Sequence, residues 1–171
     1  ITGKPVGMGG SLRRTEATGY GVIYTLREAL TALNIDITKT KASIQGFGNV
    51  AEYAARLYTK MGGTIITIAC WDNLEKKTYT YRNLNGIDVE LLASIKDSFG
   101  SIDKKKALEL GLELLAGDEW IAQDVDILLP CALENQITPE TLSKISDSVK
   151  VICEGANGPT TPDSDEIIKA K

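Results

Sequence analysis

The strongest constraint on how this chain folds is a six-residue run, Gly46-Phe47-Gly48-Asn49-Val50-Ala51. It directly follows the apolar segment Ala42-Ser43-Ile44-Gln45. After it, Val50, Ala54, Leu57, Tyr58 and Met61 recur at the three-to-four-residue period of an amphipathic helix. Strand, tight turn and helix therefore follow one another without a spacer. Gly62-Gly63 stops the helix, and Thr64-Ile65-Ile66-Thr67-Ile68-Ala69-Cys70 is a β-branched run suited to a strand covered on both faces. The result is a βαβ unit, the building block of a parallel sheet.

The rest of the chain keeps this rhythm. After a glycine-rich opening from Gly7 to Ser11, the segment from Glu16 to Leu33 puts Val22, Leu26, Ala29, Leu30 and Leu33 on one helical stripe. Between Trp71 and Gly86 the pattern turns polar, with Tyr79-Thr80-Tyr81 alternating like a strand and Asn85-Gly86 offering a turn; it reads as a small surface excursion. Val89, Leu92, Ile95 and Phe99 mark a helix, and Asp103 can cap another that runs to Leu110. A strand at Ile127-Leu128-Leu129 reaches Pro130. Thr138-Pro139 opens a helix to about Ile145, a last strand spans Val149 to Cys153, and Thr161-Pro162 opens a final helix. The expected fold is α/β: a doubly wound, mostly parallel sheet with helices on both faces, forming one domain over residues 1–171.

Composition narrows the chemistry. The chain has no histidine, which removes Ser-His-Asp triads, Cys-His pairs and HExxH zinc sites together, and no metal site is expected. A net charge of −4 with no long basic block argues against nucleic acid as a partner. Cys70, Cys131 and Cys153 are odd in number, lack C-x-x-C spacing and sit in apolar runs, so they read as buried free thiols in a reducing cytoplasm. No charged-then-apolar leader and no long apolar stretch is present, so export and membrane insertion find no support. The chain opens at Ile1 without Met and stops inside a polar helix-like run, Ser164 to Lys171, which reads as a piece of something longer.

The loop itself is G-x-G-x-x-A between a strand and a helix, the setting of the dinucleotide fingerprint of Rossmann-like domains. Gly46 permits the tight turn, Gly48 lets backbone approach a pyrophosphate, and Ala51 allows close helix–strand packing. The helix N-terminus adds free N–H groups and a positive dipole end. Phe47, Asn49 and Val50 complete the loop, and the Asn49 amide, which both donates and accepts, suits a ribose or phosphate neighbour. The fingerprint also expects an acidic residue at the end of the second strand to hold the adenosine ribose. Asp72, 26 positions after Gly46, is late but is the candidate.

Three stretches together resemble the second domain of the glutamate/leucine/phenylalanine/valine dehydrogenase family, most closely its glutamate dehydrogenase branch. They are Gly9-Gly10-Ser11-Leu12-Arg13-Arg14-Thr15-Glu16-Ala17-Thr18-Gly19; Gln45 to Ala51; and Pro130-Cys131-Ala132-Leu133-Glu134-Asn135-Gln136-Ile137-Thr138 taken with Glu154-Gly155-Ala156-Asn157-Gly158-Pro159-Thr160-Thr161-Pro162. The resemblance implies hydride transfer between a nicotinamide dinucleotide and an amino acid, in a parent protein that forms a homo-oligomer, a hexamer in the family. It places Arg14 and Thr18 near the nicotinamide end of the cofactor, although Thr15 or Thr18 could equally cap a helix. It puts Asn135 and Asn157 near the nicotinamide riboside, where turn asparagines are the plainer alternative, and counts Ala132 among the cofactor-binding positions.

Departures from the family pattern bear on the cofactor. Arg13 stands where most relatives have Gly. The position at which many carry an acid falls on Cys70, with Asp72 two residues later, and Lys76, Lys77 and Arg82 follow, where basic groups could receive a 2′-phosphate. NAD is the favoured cofactor and NADP remains possible. The lysine and aspartate that do the family's acid/base work lie in its other domain, and no counterpart of that domain's glycine- and lysine-rich segment is present. No catalytic residue is therefore expected here, and the chain alone is expected to be inactive, its amino-acid substrate bound only with the other domain. A stand-alone nucleotide-binding or interaction module that never catalyses is the alternative reading.

Overall fold

A computed structural model describes residues 3–170, so the opening Ile1 and the final Lys171 lie outside the described residues. One six-stranded sheet organises the chain. Its strands are β1 (Lys41–Gln45), β2 (Thr64–Asp72), β3 (Lys77–Arg82), β4 (Glu113–Ala116), β5 (Ile127–Pro130) and β6 (Val151–Ile152), in the spatial order β4-β3-β2-β1-β5-β6. The four strands β2, β1, β5 and β6 are parallel, whereas at one side β3 pairs antiparallel with β2 and β4 pairs antiparallel with β3. The helices are α1 (Arg14–Ala32), α2 (Asn49–Lys60), α3 (Val89–Ser94), α4 (Lys104–Glu109), α5 (Pro139–Leu142) and α6 (Pro162–Lys169).

Each face of the sheet is covered by its own apolar cluster. On one side Ile23, Leu26 and Leu30 of α1 and Ala54, Ala55 and Tyr58 of α2 pack on Ile44, Ile65 and Ile68. On the other, Trp120 and Ile121 of the 3-10 turn Gly117–Ala122 join Ile137 and Leu142 over Ile66, Ala69 and Leu128. Between Ala42 and Ser43 the β1–β2 register slips, leaving Ile66 as an extra residue in β2. This bulge turns Thr67 to the same side as Ser43. The buried hydroxyls there are satisfied in series: Thr67 donates to Ser43, and Ser43 donates to the Trp120 carbonyl.

The predicted parallel core is present at all four expected places, but the last strand is shorter, two residues at Val151–Ile152. The stretch from Trp71 to Gly86 is not a surface excursion. Its alternating residues form β3, hydrogen-bonded along β2, with Thr80 and Tyr81 buried. β4 then pairs with β3 and has no counterpart in the sequence reading. The helix expected to reach Phe99 ends at Ser94, because the Asp97 side chain accepts the N–H groups of Phe99 and Ser101 and bends the chain away. The helix opened by Thr138 likewise stops early, at Leu142. On α1, Ile23 takes the buried place expected of Leu33, which is exposed.

Candidate functional site

β1 sits where the chain's direction of travel across the sheet reverses: β2 lies on one side of it and β5 on the other. In open α/β sheets the carboxyl ends of the strands at such a point form a ligand crevice. Here that crevice is a cleft of about 1050 Å³ whose wall includes Gly46, Phe47, Gly48, Asn49, Val50 and Ala132. The Gly46 N–H donates to the Ala69 carbonyl of β2, and the Cys131 N–H to the Gln45 carbonyl, so the loop is anchored to both neighbouring strands. Gly46 has φ +97°, and a Cβ there would stand 2.9 Å from that of Ala132. Glycine is required at this position by both the turn and the close approach.

Gly48 differs. Its backbone, φ −81° and ψ −169°, is open to any residue, and nothing lies within 4 Å of where its Cβ would be. It is the N-cap of α2 and carries no side-chain cap, so the N–H groups of the first turn face outward beside it. Asn49 opens α2, and its amide donates to the Thr15 carbonyl, tying the loop to the start of α1.

Lys96, which the sequence reading passed over, fixes the loop from the other side. Its ammonium donates to the Phe47 carbonyl at 3.1 Å, pairs with the Glu52 carboxylate and lies 4.9 Å from the centre of the Phe47 ring. Burial pushes the Glu52 carboxyl up, but hydrogen bonds from Lys96 and Arg56 outweigh it and hold the group below the usual carboxylate range. No local motif announces Lys96, since it reaches a loop 49 residues away.

The other expected positions divide. Arg14 begins α1 and approaches the Thr18 hydroxyl at 3.5 Å along the same helix, with both side chains exposed. Arg14 lines a second recess of about 460 Å³ with Lys4, Arg13 and Asn49, and Thr18 lines neither hollow. Among the described residues none of these three cations pairs with an acid. Arg13 has φ +60°, a left-handed backbone that glycine adopts most readily. Asn135 and Asn157 are exposed in the loops after β5 and β6 and do not line the cleft. Those loops are joined by the Asn135 N–H on the Gly158 carbonyl and the Gln136 N–H on Pro159.

Asp72 is engaged by its own turn. Its carboxylate accepts the N–H groups of Leu74 and Glu75 and pairs with Lys104 at 2.6 Å, and it is not part of the cleft wall. The Lys104 ammonium, with those N–H groups, holds its carboxyl below the usual range. Asp72 closes the β2–β3 hairpin, and the β2 residues that line the cleft are Ala69, Cys70 and Trp71, with Asn73 just beyond. The three cysteines are buried and free, and burial raises Cys70 and Cys153 to about 11 and Cys131 to about 12. No group of three or more metal-ligating side chains occurs among the described residues.

The sequence profile of the glutamate/leucine/phenylalanine/valine dehydrogenases matches residues 9–171. The chain belongs to this family. It is 44% identical over 167 residues to an NAD-specific glutamate dehydrogenase of Clostridioides difficile and 40% identical over 168 residues to one of Peptoniphilus asaccharolyticus. Each alignment covers 98% of the chain but 38% of the relative, so the chain spans well under half the length of these proteins. The crystal structure of Plasmodium falciparum glutamate dehydrogenase superimposes with a TM-score of 0.84 at 28% identity, over 99% of this chain and 36% of that one. The superposition with that structure agrees with the expected α/β fold, a mostly parallel sheet with helices on both faces.

Proposed function

We propose that the chain is the cofactor-binding part of an amino-acid dehydrogenase acting on glutamate, and that it holds NAD with the pyrophosphate over Gly46–Val50. The observation that carries this reading is the open face of Gly48. The backbone does not require glycine there, and no neighbour forbids a side chain. What glycine leaves is room for an anion to reach the uncapped N–H groups of α2. NAD rather than NADP is supported by the relatives named NAD-specific.

When bound, the dinucleotide supplies the hydride acceptor. The chain's own residues bind and orient. The first turn of α2 receives the pyrophosphate, Lys96 and Asn49 hold the loop from opposite sides, and Arg13 and Arg14 bring positive charge to the adjoining recess. Proton transfer from a substrate amine needs a positioned base near neutral pH. The chain has no histidine, and the lysine and aspartate that the family resemblance assigns to this work belong to its other domain, so we assign that chemistry to the remainder of a longer parent.

Calorimetric titration with NAD tests the reading. Wild-type chain should bind, and Gly48→Val should remove the heat of binding while leaving the thermal midpoint nearly unchanged, because its Cβ enters open space. Equal binding by both would overturn the proposal. The chain alone should produce no NADH from NAD and glutamate; turnover that disappears in Asn157→Ala would show that it carries its own catalytic groups.

A further inference from the structure

Asparagine followed by glycine occurs twice in the chain, at Asn85-Gly86 and Asn157-Gly158. Glycine has no Cβ, so its nitrogen can approach the side-chain amide of the residue before it with the least hindrance. Whether it does so depends on whether that nitrogen is already engaged. In the first pair it is. The Gly86 N–H donates to the Asn83 carbonyl at 3.0 Å, in a turn that the Asn83 side chain also closes by accepting the Asn85 N–H at 3.0 Å. In the second pair it is not. Among the described residues neither the Gly158 N–H nor the Asn157 carbonyl has a hydrogen-bond partner, and both residues are exposed. This free peptide is bracketed by anchors: the Ala156 N–H donates to the Pro130 carbonyl before it, and the Gly158 carbonyl accepts the Asn135 N–H after it.

We propose that Asn157 is a self-modification site, at which the chain converts its own side-chain amide to a carboxylate with water as the only co-reactant, while the turn at Asn85 protects the other pair. The Gly158 nitrogen gives its proton to solvent base and bonds to Asn157 Cγ. The Cγ–Nδ2 bond breaks, and Nδ2 leaves as ammonia with a proton from water, which closes a five-membered succinimide. Water then opens the ring. Cleavage of the bond from the ring nitrogen to Cγ leaves aspartate. Cleavage of its bond to the main-chain carbonyl carbon leaves isoaspartate, in which the backbone runs through the former side chain and is one carbon longer. Either product adds a negative charge to the loop after β6. The longer one also disturbs the loop after β5, because the Gly158 carbonyl accepts the Asn135 N–H and the Pro159 carbonyl accepts those of Gln136 and Ile137. Conversion therefore loosens the junction of two loops at the carboxyl ends of neighbouring strands.

The test incubates the chain at mildly acidic and mildly alkaline pH, native and in denaturing urea, and follows tryptic peptides by mass spectrometry. Asn157 is the sole asparagine of the peptide Val151–Lys169, and Asn85 falls in Asn83–Lys96. In the native chain the first peptide should gain one mass unit about two- to tenfold faster than the second, the cost of opening one turn hydrogen bond. The gain should be faster at alkaline pH, where more of the attacking nitrogen is deprotonated, and an isoaspartate-specific methyltransferase should label the Val151–Lys169 peptide. In urea the two rates should converge. Asn157 that stays intact, or that converts no faster than Asn85 in the native chain, would overturn the proposal. So would a difference that persists unchanged in urea, which would assign it to neighbours in sequence rather than to the fold. In converted chain, separated by its added charge, the amides of Asn135, Gln136 and Ile137 should exchange hydrogen severalfold faster; unchanged exchange would overturn the loosened junction. The comparison uses the wild-type chain throughout and needs no variant to fold.

Discussion

Asp72 stabilises a turn by filling its own hairpin: two backbone N–H groups and one ammonium converge on a single carboxylate. Its folded pKa lies below the ordinary value of 3.8, so the stabilisation is present above that value and is lost as pH falls through the folded pKa. Asp72→Asn should therefore lower stability at neutral pH by about 1–3 kcal/mol and flatten the acid limb of the thermal midpoint against pH. The ratio of NAD to NADP affinity should not move, and a change in that ratio would return Asp72 to the cofactor. Spacing from the glycine loop led to the strand end but could not show that the Asp72 carboxylate is engaged by its own turn, because an Asx turn cannot be told from a ribose ligand by sequence position. The strand-to-helix turn at Gly46 and Gly48 was legible for the opposite reason: it is encoded within six residues. Lys96 acts through partners dozens of residues away, and no local signal marks it.

The crossing of α1 over α2 depends on Gly19, where a Cβ would stand 2.5 Å from the Val50 carbonyl oxygen and 2.7 Å from the Ala54 nitrogen. Backbone thus meets backbone directly behind the phosphate loop. Gly19→Ala should cost about 1–3 kcal/mol in urea unfolding, as overpacking does, and should also weaken NAD binding because the start of α2 is what moves. Stability lost with unchanged affinity would separate the crossing from the loop. Helices and parallel strands could be read from periodicity and capping residues because those signals are local; Asp88, Asp103 and Thr138 all cap as side-chain acceptors. β4 could not be read. Glu113-Leu114-Leu115-Ala116 is made of helix formers, and it is a strand only because β3 offers an unpaired edge.

Across the whole molecule the buried thiols set an alkaline limit. Cys70 and Cys153 at about 11 and Cys131 at about 12 lie above the ordinary value of 9.0, because burial penalises the thiolate. The unfolded chain loses these protons first, so stability holds below about pH 9 and falls progressively as pH rises toward 12. At neutral pH a disulfide reagent should modify none of the three rapidly in the native chain and all three after denaturation; a fast native reaction would show that the cleft admits it to Cys70 or Cys131. The same compactness gives Asn49 an unusual place, for it is a lining residue of both the main cleft and the basic recess. Its amide is hydrogen-bonded to the Thr15 carbonyl, so this shared wall is tied to the start of α1. An occupant that pushes it from one side reshapes the room on the other, and equilibrium requires the two occupants to alter each other's affinity by the same factor.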